Sequence, residues 1–353
     1  MIHPVCLRLR EILTLENLSW QLFKIKTVAS FWKQTERNRL VVMALIFFSK
    51  DDVDRYEPWK KALKEVLPDL DVRPWQQPGN IGEIEFALVW KPPPGMLATF
   101  PNLRAVFSVG AGVDSLLNDP ELPAEVPVCR MVDESLTQGM VEYSILHVLR
   151  HHRNQTLLET NQRAAKWITF PSPLASERRV GIMGLGAIGG PTAKAISGLG
   201  FETIGWSRNP KELVGVECMH GEEGIKDFLS GTEIVVCLLP LTSETEDILN
   251  KDLFAQLPMG ASLINAGRGG QQIEEDILEA LDNGQLSHVT LDVFRNEPLP
   301  PDHPFWNHPK VTVTPHNAAV TQPKTAAKLL AININRLNAS QPLINVVDTS
   351  VGY

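Results

Sequence analysis

Arg179-Val180-Gly181-Ile182-Met183-Gly184-Leu185-Gly186-Ala187-Ile188-Gly189-Gly190 decides the fold of this chain. An apolar run that reads as a strand passes directly into Gly-x-Gly-x-x-Gly, and a helical pattern through Ala193, Ala195 and Ile196 follows. The glycine string alone is weak evidence, but strand before and helix after supply the context of a dinucleotide-binding turn. Each glycine has a task there. Gly184 makes the tight turn, Gly186 lets the backbone approach a pyrophosphate, and Gly189 lets the helix pack closely on the strand. Free amides and the helix dipole then hold the anion.

A second strand, Glu202–Trp206, ends about twenty residues later and selects the dinucleotide. An acidic residue at that end would hold a ribose 2′-hydroxyl. The chain instead reads Trp206-Ser207-Arg208-Asn209-Pro210-Lys211. Ser207, Arg208 and Lys211 can donate hydrogen bonds and positive charge to a 2′-phosphate, whereas a carboxylate would repel it. NADPH is therefore the expected cofactor, with NADH possible. The plainer reading of this stretch is a solvated basic turn.

Outward from this core, strands and helices alternate, which implies parallel sheets covered on both faces. Before the loop, strands are expected at Ala44–Ser49, Phe86–Trp90 and Ala105–Val109, with a helix at Pro58–Leu67. A long helical stretch from about Gly139 to Trp167 follows, and the proline-rich turn Phe170-Pro171-Ser172-Pro173 is the best candidate for a domain crossing. After the loop come strands at Ile234–Leu239, Ser262–Ala266, Val289–Phe294 and Val311–Thr314, and a helix at Ile273–Asn283. A last helix, about Pro323 to Leu337, is expected to pack back on the first domain.

Composition narrows the function. At about 150 residues per domain, the 353 residues suggest two domains. The 33 basic and 41 acidic residues leave a net charge of −8, which argues against nucleic acid as the main partner. The longest apolar run, Leu40 to Phe48, is nine residues, half a membrane span. Cys6, Cys129, Cys218 and Cys237 form no C-x-x-C pair, so neither a zinc site nor a disulfide framework is expected, and a reducing, cytoplasmic setting is the default. Residues 1–42 carry seven Lys/Arg, but Glu11, Glu16 and Glu36 fit neither a transit peptide nor a secretory signal. The functional chain is expected to start near Met43, with residues 1–42 an extension or an upstream translation start outside the fold.

Four polar residues fall at or just after the expected strand ends: Arg268, Asp292, Glu297 and His316. In a doubly wound sheet ligands bind at the carboxyl ends of strands, so these residues can converge on one crevice. Singly, each has a plainer explanation as a surface charge, a turn residue or a structural histidine. Together they are the parts for reducing a 2-keto acid. An arginine can clamp a carboxylate, a histidine can pass a proton, and a carboxylate can orient that histidine and raise its pKa.

From about Met43 to the C-terminus the chain resembles the D-2-hydroxyacid dehydrogenase family. The resemblance rests on the glycine loop, Asn265-Ala266-Gly267-Arg268-Gly269, Leu291-Asp292-Val293-Phe294 with Glu297-Pro298-Leu299-Pro300, and Thr314-Pro315-His316, in that order. Ala87-Leu88-Val89-Trp90 with Lys91-Pro92-Pro93, Gly110-Ala111-Gly112-Val113-Asp114 and Val351-Gly352-Tyr353 are similar to its glyoxylate/hydroxypyruvate reductase A branch. This implies two doubly wound α/β domains: a Rossmann cofactor domain at 144–318, and a flavodoxin-like, discontinuous substrate domain at 43–143 and 319–353. It also implies a homodimer. Arg268 would bind the substrate carboxylate and keto oxygen, His316 would be the acid/base and Glu297 its partner. Ala111 and Gly112 amides would hold the carboxylate, and Trp90 would line the pocket. Ala187, Ile188, Leu239, Pro240, Ala266 and Asp292 are expected beside the cofactor.

Two other readings stand beside NADPH-dependent reduction of glyoxylate and hydroxypyruvate. One is a relative with a different substrate. By resemblance, a formate dehydrogenase would pair its histidine with Gln rather than Glu297, and Ser207-Arg208 disfavours a phosphoglycerate dehydrogenase. The other is a non-catalytic dinucleotide sensor of the same fold, against which Arg268, Glu297 and His316 all speak.

Overall fold

Two all-parallel sheets carry the chain in the computed structural model, which describes residues 43–50, 55–349 and 351–353. Residues 1–42, expected to be an extension, lie outside the described residues. The first sheet comprises β1 (Ala44–Ser49), β2 (Asp71–Pro74), β3 (Ile84–Trp90), β4 (Ala105–Ser108) and β5 (Val128–Cys129), in the order β2-β1-β3-β4-β5. That is the flavodoxin-like order. The second comprises β6 (Arg179–Met183), β7 (Glu202–Ser207), β8 (Glu217–His220), β9 (Ile234–Cys237), β10 (Ala261–Asn265), β11 (Leu286–Leu291) and β12 (Val311–Val313). Its order, β12-β11-β10-β9-β6-β7-β8, is the dinucleotide-fold order with one added strand. The order reverses between β6 and β9, so the glycine loop after β6 opens at the switch point.

The central strands are apolar throughout because both their faces are covered. Val180, Ile182 and Met183 on β6 and Val235, Val236 and Cys237 on β9 are fully buried. Their side chains divide between two clusters, one on each face of the sheet. Each such Val or Ile contributes about 1.5–3 kcal/mol by leaving water.

The chain crosses between sheets earlier than the proline-rich turn at 171–173. Helix Glu134–His152 already packs Met140, Tyr143 and Val148 with Val180, Ile182 and Ile264 of the second sheet. Asp133 caps this helix, accepting from the Leu136 amide at 3.1 Å. The same carboxylate accepts from Thr325 Oγ1 of the returning chain, which ties the two crossings together. Helix Pro323–Asn338 then packs on helix Tyr56–Val66, beside the first sheet. Its buried Asn333 clamps Ile344 by two hydrogen bonds of 3.1 and 2.8 Å, and Val347 N–H continues to Val128 O at 2.8 Å.

Sequence periodicity misplaces some elements. The expected helix from Gly139 to Trp167 is two helices, Glu134–His152 and Gln155–Arg163. Asn154, with a left-handed φ of 51°, breaks them apart, a conformation asparagine tolerates better than most residues. β2, β5 and β8, two to four residues each, all lie at sheet edges and carry too little pattern to mark them. In helix Glu274–Asp282, Ile273 is the N-cap residue rather than part of the buried stripe.

Candidate active site

One cleft of about 1120 Å³ gathers the loops at the carboxyl ends of both sheets. At its Rossmann side, Gly184 takes φ +99° and donates to Trp206 O at 2.8 Å. A Cβ there would come within 2.9 Å of Leu238 O, and one at Gly189 would strike Gly184 O. Gly186 faces open space. The amides of Gly186, Ala187 and Ile188 meet no acceptor among the described residues, and no side chain caps helix Gly189–Gly198. Free donors at a helix N-terminus fit a phosphate group.

At the end of β7 the predicted basic turn also faces the cleft. Ser207 is buried and its hydroxyl closes the turn by donating to Asn209 O at 2.8 Å. Arg208 pairs with Glu244 at 2.7 Å and stacks 5.3 Å from the Tyr353 ring centroid. Arg130 approaches that ring at 5.9 Å. Lys211 completes a cationic rim on which a 2′-phosphate fits. Leu239, Pro240 and Ala266, after β9 and β10, line the stretch between the glycine loop and Arg268.

Arg268 is held from below by a buried amide network. Gln271, fully buried, accepts from the Arg268 amide at 2.8 Å and donates to Leu239 O and Pro240 O at 2.8 and 3.0 Å. The guanidinium donates to Asp114 Oδ1 at 2.8 Å and Gly267 O at 2.8 Å. It thereby reaches across to the first sheet, beside Gly110-Ala111-Gly112. The Ala111 and Gly112 amides have no acceptor among the described residues, and Trp90 packs on Gly110, where a Cβ would lie 2.6 Å from the indole.

His316 stands opposite, in a left-handed turn of φ 51°. Its Nδ1 lies 3.0 and 2.9 Å from the two oxygens of Glu297. That fixes the ring, and Nε2 has no partner among the described residues. Burial alone would raise the Glu297 pKa. The His316 hydrogen bond and charge, the Phe294 amide and Lys91 outweigh it and hold the carboxyl at about 2. Trp90 meets the imidazole edge-on at 6.3 Å between centroids.

Asp292 organises the turn that carries His316. Its Oδ1 accepts from Thr314 Oγ1 at 2.6 Å and the Asn317 amide at 3.0 Å, its Oδ2 from the Ala318 amide at 3.0 Å, and its backbone O from the His316 amide at 2.9 Å. Tyr143 hydrogen-bonds Thr314 at 2.8 Å. Burial pushes the Asp292 carboxyl above the usual range, against the pull of these donors.

The cleft thus brings together every residue singled out from sequence except Glu297, which sits behind His316. Sequence reasoning missed Asp114, Gln271, Glu244 and Lys91 as participants. Asp114 and Lys91 stood inside recognised segments, but their partners are 154 and 206 positions away and no local spacing marks them. Among the described residues no group of three or more His, Cys, Asp or Glu could hold a metal ion, and no helix is long and apolar enough to cross a membrane.

A switch-point loop of free amides, facing an arginine and a carboxylate-held histidine across one cleft, defines a dinucleotide-dependent oxidoreductase fold. Comparison with known proteins agrees. The NAD binding domain of the D-isomer specific 2-hydroxyacid dehydrogenases matches residues 145–318. Glyoxylate/hydroxypyruvate reductase A of Serratia proteamaculans is 43% identical over 302 residues, 84% of this chain and 96% of that protein. Its counterpart in Yersinia enterocolitica is 39% identical over the same shares. A 2-hydroxyacid dehydrogenase from Xanthobacter autotrophicus Py2, solved with NADPH and MES, superposes with a TM-score of 0.85 at 43% identity, covering 88% of this chain and 100% of its own. An NADPH-dependent glyoxylate/hydroxypyruvate reductase from Sinorhizobium meliloti, solved with NADP and sulfate, gives 0.83 at 38% identity with the same coverage. This chain belongs to the D-isomer specific 2-hydroxyacid dehydrogenase family.

Proposed function

We propose that the protein reduces small 2-keto acids, glyoxylate to glycolate and hydroxypyruvate to glycerate, with NADPH preferred over NADH and His316 as general acid. The observation that carries this reading is the clamping of His316 Nδ1 by both Glu297 oxygens, in the cleft that also holds Arg268 and the free amides of Ala111 and Gly112. The open face of Gly186, the uncapped helix and the Arg208–Lys211 rim fit NADPH. The reduced nicotinamide, when bound, supplies hydride to the keto carbon.

The protein's own residues do the rest. The Ala111 and Gly112 amides and Arg268 hold the substrate carboxylate, and Arg268 offsets charge growing on the keto oxygen. His316 donates its Nε2 proton to that oxygen, and Glu297 stabilises the imidazolium that must exist beforehand. On this reading the lobe of 43–143 and 319–353 presents the substrate, and 144–318 presents the dinucleotide. NADP in the Sinorhizobium relative and NADPH in the Xanthobacter one support the choice of cofactor.

We also take the working form as a cytoplasmic homodimer. Large apolar side chains left exposed between residues 146 and 174 support the dimer: Leu146 at 60%, Leu158 at 41%, Trp167 at 97% and Leu174 at 67% exposure. Sedimentation at micromolar concentration tests it.

Absorbance loss at the reduced-nicotinamide band, with NADPH and NADH in parallel against both acids, tests the reaction. Fast NADPH oxidation is expected. In His316→Ala, kcat should fall by about 10²–10⁴ with NADPH binding retained. Turnover equal to wild type in that variant removes His316 from the mechanism. NADPH binding without turnover of any 2-keto acid by the intact protein favours the sensor reading.

A further inference from the structure

Lys91, next in sequence to the cleft-lining Trp90, is a charge that the reaction as described leaves without a task. It follows the last residue of β3 and takes φ +46°, left-handed backbone that a long side chain adopts only where its surroundings impose it. In an extended strand, neighbouring side chains point to opposite faces. The left-handed turn breaks that alternation, so Trp90 and Lys91 lie together, with the ammonium 5.6 Å from the indole centroid.

From there Nζ reaches Glu297 Oε2 at 3.2 Å. The pair joins the end of β3 in the first sheet to the loop after β11 in the second. The carboxylate of Glu297 is therefore shared. His316 Nδ1 at 2.9 Å and Lys91 Nζ at 3.2 Å both meet Oε2, and the Phe294 amide donates to Oε1 at 3.2 Å. Two further charged groups face His316: Asp292, behind its own turn, and Arg268, from the opposite wall of the cleft.

We propose that Lys91 is a positioning residue which, by sharing the Glu297 carboxylate behind His316, sets how firmly that carboxylate holds the proton on His316. The inference rests on the reading of His316 as the acid. A carboxylate wholly given to the imidazolium stabilises it most and makes it the weakest donor. A second cation on the same carboxylate loosens that hold, so the Nε2 proton leaves more readily for the substrate oxygen. The contact bridges both lobes, so the adjustment exists only when β3 and the Glu297 loop face each other.

The test is Lys91→Met beside Lys91→Arg in the full chain. In Lys91→Met, the alkaline limb of the kcat/KM profile for reduction should move up by a few tenths of a pH unit to about one unit. Plateau kcat should fall while KM for NADPH holds, and Lys91→Arg should restore both limb and rate. The imidazole proton of His316, followed by NMR and assigned with His316→Gln, should titrate correspondingly higher in Lys91→Met. Within a Glu297→Gln background, Lys91→Met should leave the titration where that background puts it. The NMR arm stands apart from catalysis, so a protein that turns over neither acid defeats the functional reading alone. A His316 titration that coincides in Lys91→Met and wild type overturns the proposal, and so does an equal shift in the Glu297→Gln background.

Discussion

The guanidinium of Arg268 rests on the open face of Gly112, so close that no Cβ fits between them. Residues 156 positions apart, on loops of different sheets, thus share one surface. Gly112→Ala should push Arg268 off its pairing with Asp114. A displacement near 1 Å in a positioning group costs about 100-fold, so kcat/KM for the keto acid should fall by roughly that factor. NADPH affinity, measured by fluorescence, should be unchanged. A variant with wild-type kcat/KM would sink the idea that Gly112 seats Arg268.

On the proposed reading Arg208 sets the cofactor preference, although it pairs with Glu244 at 2.7 Å. Arg208→Ser removes one charge-assisted contact to a 2′-phosphate, a loss of about 1.5–3 kcal/mol. Its KM for NADPH should rise about 10- to 100-fold, with KM for NADH nearly constant. Glu244 is largely exposed, so Glu244→Gln should tighten NADPH only a few-fold. Parallel rises for both cofactors in Arg208→Ser would place the 2′-phosphate elsewhere.

Acid stability has its own signature, away from the reaction. His147 and His151 of helix Glu134–His152 share Thr290 of β11 as hydrogen-bond partner, at 3.4 and 3.0 Å. Burial pushes the His147 imidazole down to about 4, and burial plus neighbouring His288, His147 and Arg150 push His151 to about 3. Unfolded imidazoles bind protons near 6.5. Below that pH the unfolded state takes up protons that the folded one refuses, so stability falls as pH drops from about 6.5 towards 3. The slope is about 1.4 kcal/mol per pH unit for each histidine. Urea midpoints at pH 7 and pH 5 should differ accordingly, and His151→Gln should narrow the difference. An unchanged difference would clear His151 of the effect.

Glu297 opens a second window, lower on the scale. Its folded value of about 2 lies below the unfolded carboxyl value near 4.3, so its pairing stabilises fully above that value and is lost as pH falls through about 2. The stability deficit of Glu297→Gln should therefore be largest above about pH 4.3 and shrink as pH falls from there towards 2, as read by thermal unfolding. A deficit that stays constant with pH would mean packing, rather than charge, holds Glu297.

The glycine loop was legible because its physics is local. Gly184 must take positive φ, Gly189 must admit a neighbouring carbonyl, and both demands show as residue types at fixed spacing. Central strands such as β6 and β9 were legible because burial on both faces leaves unbroken apolar runs. Short strands such as β2 and β8 were not, since four residues carry too little pattern. The hinge at Asn154 hid inside a helical periodicity that continues on either side. Within the cleft, Arg268 and His316 were visible from their places after strands. Asp114, Lys91 and Glu244 were not, because they count through pairing: the partners of Asp114 and Lys91 lie on the other sheet's loops, and that of Glu244 on the loop after another strand of its own sheet.

Every side chain given a chemical task here lies on the last residue of a strand or on the connection beyond it. Trp90 and Ser207 end β3 and β7, and Arg268, Asp292, Glu297 and His316 follow β10, β11 and β12. The buried strand interiors contribute support alone. For an engineer, diversity confined to exposed cleft positions such as Asn209, Lys211, Glu244 and Val320 can retune substrate and reductant while both sheet cores keep their native packing. The molecule separates what must stay constant from what is free to evolve.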